Sequence, residues 1–107
     1  MTIYIEDLKF QCIIGILDFE RITPQDVIID IKIDYDYQKE FINYAEVSSL
    51  IENAMKIKKF ELIEDALVDL TKELKEKFHL IQTLHLKISK PSILPNCTVS
   101  VGSFNKF

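Results

Sequence analysis

The stretch Gln25-Asp26-Val27-Ile28-Ile29-Asp30-Ile31-Lys32-Ile33-Asp34-Tyr35-Asp36-Tyr37 decides the fold. Val27, Ile29, Ile31, Ile33, Tyr35 and Tyr37 alternate with Asp30, Lys32, Asp34 and Asp36. A period of two sends the apolar side chains to one face of a β-strand and the charged ones to the other. Strands of parallel sheets are covered on both faces and read as continuous apolar runs, so this alternation predicts an antiparallel sheet with one wet face.

Before this strand, Ile3 and Ile5 alternate in one phase and Leu8, Phe10 and Cys12 in the other, so residues 2–13 read as a strand with a bulge at Asp7. Gly15 to Pro24 is a loop longer than a hairpin needs, and loops of that length often carry function. After the deciding strand the period changes. Asn43 and Glu46 have the spacing of an N-cap and its N3 acid, and Val47, Leu50, Ile51, Ala54 and Met55 follow at helical intervals to about Lys58. A second helix runs from Leu62 to near Phe78, with Ile63, Ala66, Leu67, Leu70 and Leu74 on one side. Lys72, Lys75 and Lys77 lie toward its C-terminal end, where the macrodipole favours cations.

Leu84, Leu86 and Ile88 then alternate up to Ile88-Ser89-Lys90-Pro91, where the strand is expected to stop at the proline. Val99 and Val101 mark a last strand. The order is ββααββ, an α+β fold in which an antiparallel four-stranded sheet is covered on one face by two helices. Residues 1–107 are expected to form a single domain. Its outer strand edges invite pairing with another copy.

Composition narrows the function classes. The 107 residues are 48% hydrophobic and 28% charged, the make-up of a globular chain, and the net charge of −4 is spread along the length. No basic stripe is available to neutralise phosphates, so no nucleic-acid partner is expected. No run approaches the ~18–20 apolar residues that cross a bilayer, and Met1 to Asp7 lacks a basic region followed by an apolar one. No membrane partner and a cytoplasmic location are expected. Cys12 and Cys97 read as reduced core or near-core thiols, and with His79 and His85 they lack metal-ligand spacing, so no metal and no cofactor are expected.

Four polar residues stand out. Lys90, at the end of a half-buried strand, is held firmly enough to be aimed at a bound molecule, although most strand-end lysines are simply solvated. Glu20, in the long loop beside Arg21, is either a solvated charge or a carboxylate that Phe19 shields, which would raise its proton affinity. Tyr44 opens the first helix, either as packing or on the rim of a site. Glu64 borders the apolar stripe of the second helix. It is read either as an acid favoured by the helix dipole or as a carboxylate facing an interior cleft, where it would suit a planar ligand edge with two parallel N–H donors.

Taken together, Ile3-Tyr4-Ile5-Glu6-Asp7-Leu8, Ile14 to Arg21, Pro24-Gln25, Asn43-Tyr44-Ala45-Glu46-Val47, Leu62-Ile63-Glu64 and Ile88-Ser89-Lys90-Pro91 resemble the dihydroneopterin aldolase family over nearly the whole chain. The ββααββ order matches that family's tunnelling fold. The resemblance implies a lyase that splits 7,8-dihydroneopterin into 6-hydroxymethyl-7,8-dihydropterin and glycolaldehyde. It implies that Glu64 anchors the amino-pyrimidinone edge, that Lys90 transfers protons, and that Tyr44 and Glu20 act around the reacting side chain. It further implies that Ile63, Ile42 and Tyr44 join Glu64 in binding the pterin.

It also implies a homo-oligomer, a tetramer or octamer, with sites between subunits and Tyr44 supplied by the neighbour. The chain departs from the family pattern in a short Gln38–Ile42 segment and in Ser92–Asn96, which replaces a glycine-bearing turn. The alternatives are a dihydroneopterin triphosphate epimerase, which would want extra cations, and a non-catalytic pterin- or purine-binding assembly.

Overall fold

In the computed structural model, which describes residues 1–107, four strands and two helices follow the expected order. They are β1 (Thr2–Cys12), β2 (Gln25–Asp34), α1 (Tyr44–Lys58), α2 (Ile63–Lys77), β3 (Thr83–Leu94) and β4 (Cys97–Lys106). The strands lie antiparallel in the order β1-β2-β3-β4, which leaves β1 and β4 at the edges. Both helices pack on the same apolar face.

Register follows from the alternation. Val27, Ile29, Ile31 and Ile33 of β2 are fully or almost fully buried, as are Leu84, Leu86 and Ile88 of β3. Each such side chain contributes about 1.5–3 kcal/mol relative to exposure, so slipping β2 by one residue would forfeit all four at once. The alternation extends past β2 only to buried Tyr35; Tyr37 is exposed, and the chain has already left the sheet. Tyr35 still exchanges main-chain hydrogen bonds with Met1, at 2.9 and 2.8 Å.

The expected bulge is present: pairing of β1 with β2 shifts between Ile5 and Leu8, and Asp7 takes φ 58°. The Asp7 amide donates to Asp30 Oδ1 at 2.9 Å. In β3 the reading needs correction, because the strand does not stop at Pro91. It continues to Leu94, with the β3–β4 register breaking between Lys90 and Leu94. Pairing with β2 ends at Ser89, so the proline, which has no N–H, removes no ladder bond on that side.

Asn43 caps α1 as its spacing predicts, its Oδ1 accepting from the Ala45 amide at 2.9 Å. Val47, Ile51, Ala54 and Met55 of α1, and Ile63, Ala66, Leu67, Leu70 and Leu74 of α2, face the sheet. Across the helix pair, Lys58 bridges Asp69 at 2.6 Å and Glu73 at 3.1 Å. Cys12 is in the core, whereas Cys97, expected in or near it, is exposed beside the β3–β4 turn. No helix is long and apolar enough to cross a membrane.

Candidate active site

The long loop between β1 and β2 folds around one short 3-10 turn, Asp18–Arg21. That turn directs the Glu20 side chain inward, under the end of the sheet–helix layer. The reading of Glu20 as a solvated charge is therefore wrong: the residue is only 3% exposed. Phe19, its expected shield, is itself 57% exposed. A lone buried carboxylate would be costly, and the chain supplies partners for both oxygens. Lys90 Nζ donates to Oε2 at 2.8 Å, Gln25 Nε2 donates to the same oxygen at 2.8 Å, and the Leu17 amide donates to Oε1 at 3.2 Å.

These partners reverse the expected shift in acidity. Burial is the largest single influence on Glu20 and raises its pKa, but the bonds from Lys90, Gln25 and Leu17, with the Lys90 charge, outweigh it. The carboxyl is held below the ordinary carboxylate value, as an anion at neutral pH. Lys90 is itself 8% exposed, so it is not a solvated strand-end lysine. It lies on the core side of β3 with Leu86 and Ile88, and the side-chain period of two accounts for this placement.

Gln25, quoted in the sequence only as part of a motif, belongs to the same group. Its amide also donates to the Ile14 carbonyl at 2.7 Å, which fixes its orientation toward Glu20. The pairing of Cys12 with Gln25 across β1 and β2 brings this about, since it puts Gln25 at the first position of β2, beside the returning loop. A glutamine opening a strand carries no such signal in its own sequence.

Gly15 is required by the same packing. It has φ +131°, and a Cβ there would lie 2.1 Å from the Glu20 carboxylate, so any side chain would occupy the acid's place.

The remaining candidates are divided between the two ends of the layer. The Gly15 amide bonds the Phe60 carbonyl at 3.1 Å, which sets the start of α2, and with it Ile63 and Glu64, at the Glu20–Lys90 end. Glu64 does not face an interior cleft. It is exposed on the outer surface, because Ile63, Ala66, Leu67 and Leu70 take the core side and roughly 100° of rotation turns Glu64 away.

Lys56, near the C-terminal end of α1, stands 5.8 Å from the Phe10 ring, and its charge and that of Lys90 both act on Cys12. Tyr44 begins the same helix twelve residues earlier, ~18 Å away along its axis at about 1.5 Å per residue. It is 67% exposed there, and Ile42 beside it is packed into the core. One chain thus brings together Glu20, Gln25, Lys90 and the first turn of α2, and holds Tyr44 and Ile42 at the opposite end. No group of three or more histidine, cysteine or acidic side chains has the arrangement of a metal site.

Chemically, the paired end offers a nearly buried ammonium held against a buried carboxylate, with an exposed carboxylate on the helix start at the same end. That is a set for proton transfer beside a planar, N–H-bearing ligand. The family model described as dihydroneopterin aldolase matches residues 3–103. The dihydroneopterin aldolase of Haemophilus influenzae is 31% identical over 97 residues, covering 83% of this chain and 81% of that protein. The same fold is present in the Vibrio cholerae FolB protein, with a TM-score of 0.91 at 21% identity, covering 100% of this chain and 98% of the other. It recurs in Escherichia coli dihydroneopterin aldolase in complex with neopterin, with a TM-score of 0.88 at 22% identity and 98% of each chain covered.

Proposed function

The chain belongs to the dihydroneopterin aldolase family and is a lyase of folate biosynthesis, and we propose that it cleaves its pterin substrate at a site centred on the Glu20–Lys90 pair and completed by a second copy. The observation that carries this reading is the 2.8 Å contact between Lys90 and Glu20, both buried, at the end of the layer where α2 begins. A solvated lysine would be free to wander, whereas this one is positioned before any substrate arrives.

The reaction is a retro-aldol cleavage of 7,8-dihydroneopterin. A base removes the proton of the 2′ hydroxyl, the C1′–C2′ bond breaks, and glycolaldehyde leaves. The electron pair passes to C1′ and is taken up by the N5=C6 imine, giving an enamine with a proton on N5. Protonation of C1′ and loss of the N5 proton then yield 6-hydroxymethyl-7,8-dihydropterin. The substrate is its own electron sink, so Lys90 need form no Schiff base. Its role is proton transfer near N5, directly or through water. Acid–base assistance of this kind is worth about 10² to 10⁴ in rate.

Glu20 holds Lys90 and, with Tyr44, handles protons at the side-chain hydroxyls. Glu64 takes the amino-pyrimidinone edge. Ile63 and Ile42, whose side chains face the core, meet the pterin through their main chain. Because Tyr44 and Ile42 lie at the far end of their own chain, they come from a neighbouring copy, and the open edges of β1 and β4 are where copies join into a tetramer or octamer. Neopterin bound to the Escherichia coli protein of the same fold supports a pterin as the ligand. The single-domain chain works in the cytoplasm, without nucleic acid, membrane, metal or other cofactor.

The test is to incubate the purified protein with 7,8-dihydroneopterin and follow both products by chromatography. Appearance of glycolaldehyde and 6-hydroxymethyl-7,8-dihydropterin in equal amounts is expected. If neither forms, the reading fails.

A further inference from the structure

Arg21 follows the buried Glu20 directly, yet no carboxylate pairs with it. Its guanidinium instead collects three main-chain carbonyls: Nη1 donates to Gly15 at 3.0 Å and to Phe60 at 3.2 Å, and Nη2 to Lys59 at 2.8 Å. Two of these carbonyls belong to the connection just past α1, where Lys59 takes the left-handed conformation at φ 49°. The chain leaving α1 is thus held by a cation that cannot lose its proton. The third belongs to Gly15, whose missing side chain makes room for the Glu20 carboxylate.

The guanidinium therefore touches both walls of the candidate site. Through Gly15 and its own backbone it holds the turn bearing Glu20, and through Lys59 and Phe60 it holds the connection that leads into Ile63 and Glu64. A guanidinium is a rigid planar fork, so these contacts fix a distance as well as an attraction.

Resting on the pterin-cleaving reading, we infer that Arg21 is a positioning residue that sets the separation between the proton-transferring pair, Glu20 with Lys90, and the pterin-anchoring first turn of α2. It makes no contact with the substrate. Its effect is to let one ligand reach both groups at once.

A ligand that spans both ends should feel the loss of Arg21, and one that uses only the anchoring end should not. Neopterin, whose side-chain hydroxyls reach toward Glu20, and unsubstituted pterin, which has none, are such a pair, and their intrinsic fluorescence reports binding to the full chain. For Arg21→Ala, neopterin affinity should fall about tenfold and pterin affinity by less than about twofold. Cleavage of dihydroneopterin, as kcat/KM, should fall about ten- to a hundredfold, as expected for a displacement near 1 Å. Arg21→Lys, which keeps the charge without the fork, should lie between, and millimolar guanidinium should restore part of the Arg21→Ala activity.

If Arg21 merely supports the fold, the melting temperature falls but the ratio of the two affinities stays at the unmodified value, and that overturns the inference. Should Arg21→Ala fail to fold, the same ratio measured on Arg21→Lys decides. If the unmodified chain binds neither pterin, the pterin-cleaving reading fails and the positioning role with it. If it binds both and only the ratio is unmoved, that reading stands and the positioning role alone is lost.

Discussion

Lys90 Nζ and Glu20 Oε2 are 2.8 Å apart although 70 residues separate them along the chain. Neither is near the other in any local motif. The loop after β1 and the last core position of β3 meet only because the antiparallel register carries β3 past β2, beyond Ser89. The ion pair is thus a product of topology, and it is held at the margin of a hydrophobic core whose side chains cannot solvate it. Gln25 supplies the remaining bond to the shared oxygen.

Removing one member of this pair should cost more than removing both. Glu20→Gln leaves a buried ammonium without its counter-ion, a loss of about 3–5 kcal/mol for fully buried pairs and toward the lower end here, where the Lys90 side chain keeps 10% exposure. Glu20→Gln combined with Lys90→Met should be less destabilised than Glu20→Gln alone. Urea unfolding of the wild type, both single variants and the double variant gives the coupling energy, and additive losses would show that the pair is not coupled.

Acid should weaken the fold through the same carboxylate. Its folded-state pKa is depressed, so its contribution to stability is fully present above the unfolded value of about 4.3 and is lost as pH falls through the lower folded value. Asp34 is likewise held below its ordinary value, by bonds from Thr2 and Thr83. The two can be separated by comparing wild type with the Glu20→Gln/Lys90→Met variant, which lacks the Glu20 contribution and keeps that of Asp34. Below about pH 4.3 the wild type should lose stability more steeply, and parallel curves would contradict the assignment.

The fold was legible because its signals are periodic. The alternation in Val27 to Tyr35, the phase change at Asp7 and the helical spacing from Val47 to Met55 each follow from a local geometry that the side chains must satisfy. The site was legible only as residue types within a family resemblance. Nothing near Glu20 in sequence announces that it is buried, since its partners Lys90 and Gln25 come from other strands. Glu64 stayed open between two readings for a related reason: adjacency to an apolar stripe does not say on which side of the stripe a residue falls, and in the single chain it falls on the exposed side. Pro91 misled because a proline ends a strand only where its missing N–H is needed.

Gly15 should tolerate no side chain. In Gly15→Ala the new methyl would occupy the position of the Glu20 carboxylate, and φ +131° is strained for alanine in any case. Expelling Glu20 would strand Lys90, so a loss of about 3 kcal/mol or more is expected in chemical denaturation, together with loss of cleavage. If the variant keeps wild-type stability, the loop around Gly15 must have a second arrangement that accommodates both groups.

The two thiols should react very differently. Cys12 is pushed up to about 11, chiefly by burial, with Lys56 and Lys90 drawing it part of the way back, while Cys97 is exposed at the hairpin. At pH 8 only about one Cys12 in a thousand is thiolate, and it is also inaccessible. Titration with a chromogenic disulfide should show one rapid equivalent in the native protein and two after unfolding. The Cys97→Ser variant should show none until it unfolds.

Lys90 and Glu64 should separate chemistry from binding. Lys90 faces the buried end of the layer against Glu20, whereas Glu64 projects from the first turn of α2 with its carboxylate free in the single chain. If Lys90 moves protons, Lys90→Ala should lower kcat by about a hundredfold or more while pterin affinity changes little. If Glu64 receives the paired N–H donors of the amino-pyrimidinone, Glu64→Ala should weaken pterin binding by about 1.5–3 kcal/mol, the worth of charge-assisted bonds. Steady-state kinetics alone would confuse the two where KM is not a dissociation constant, so direct fluorescence titration belongs beside them. Equal loss of affinity in both variants would mean that Lys90 holds the bound ring as Glu64 does, rather than only moving protons near N5. The division of labour between the two ends of the site would then have to be redrawn.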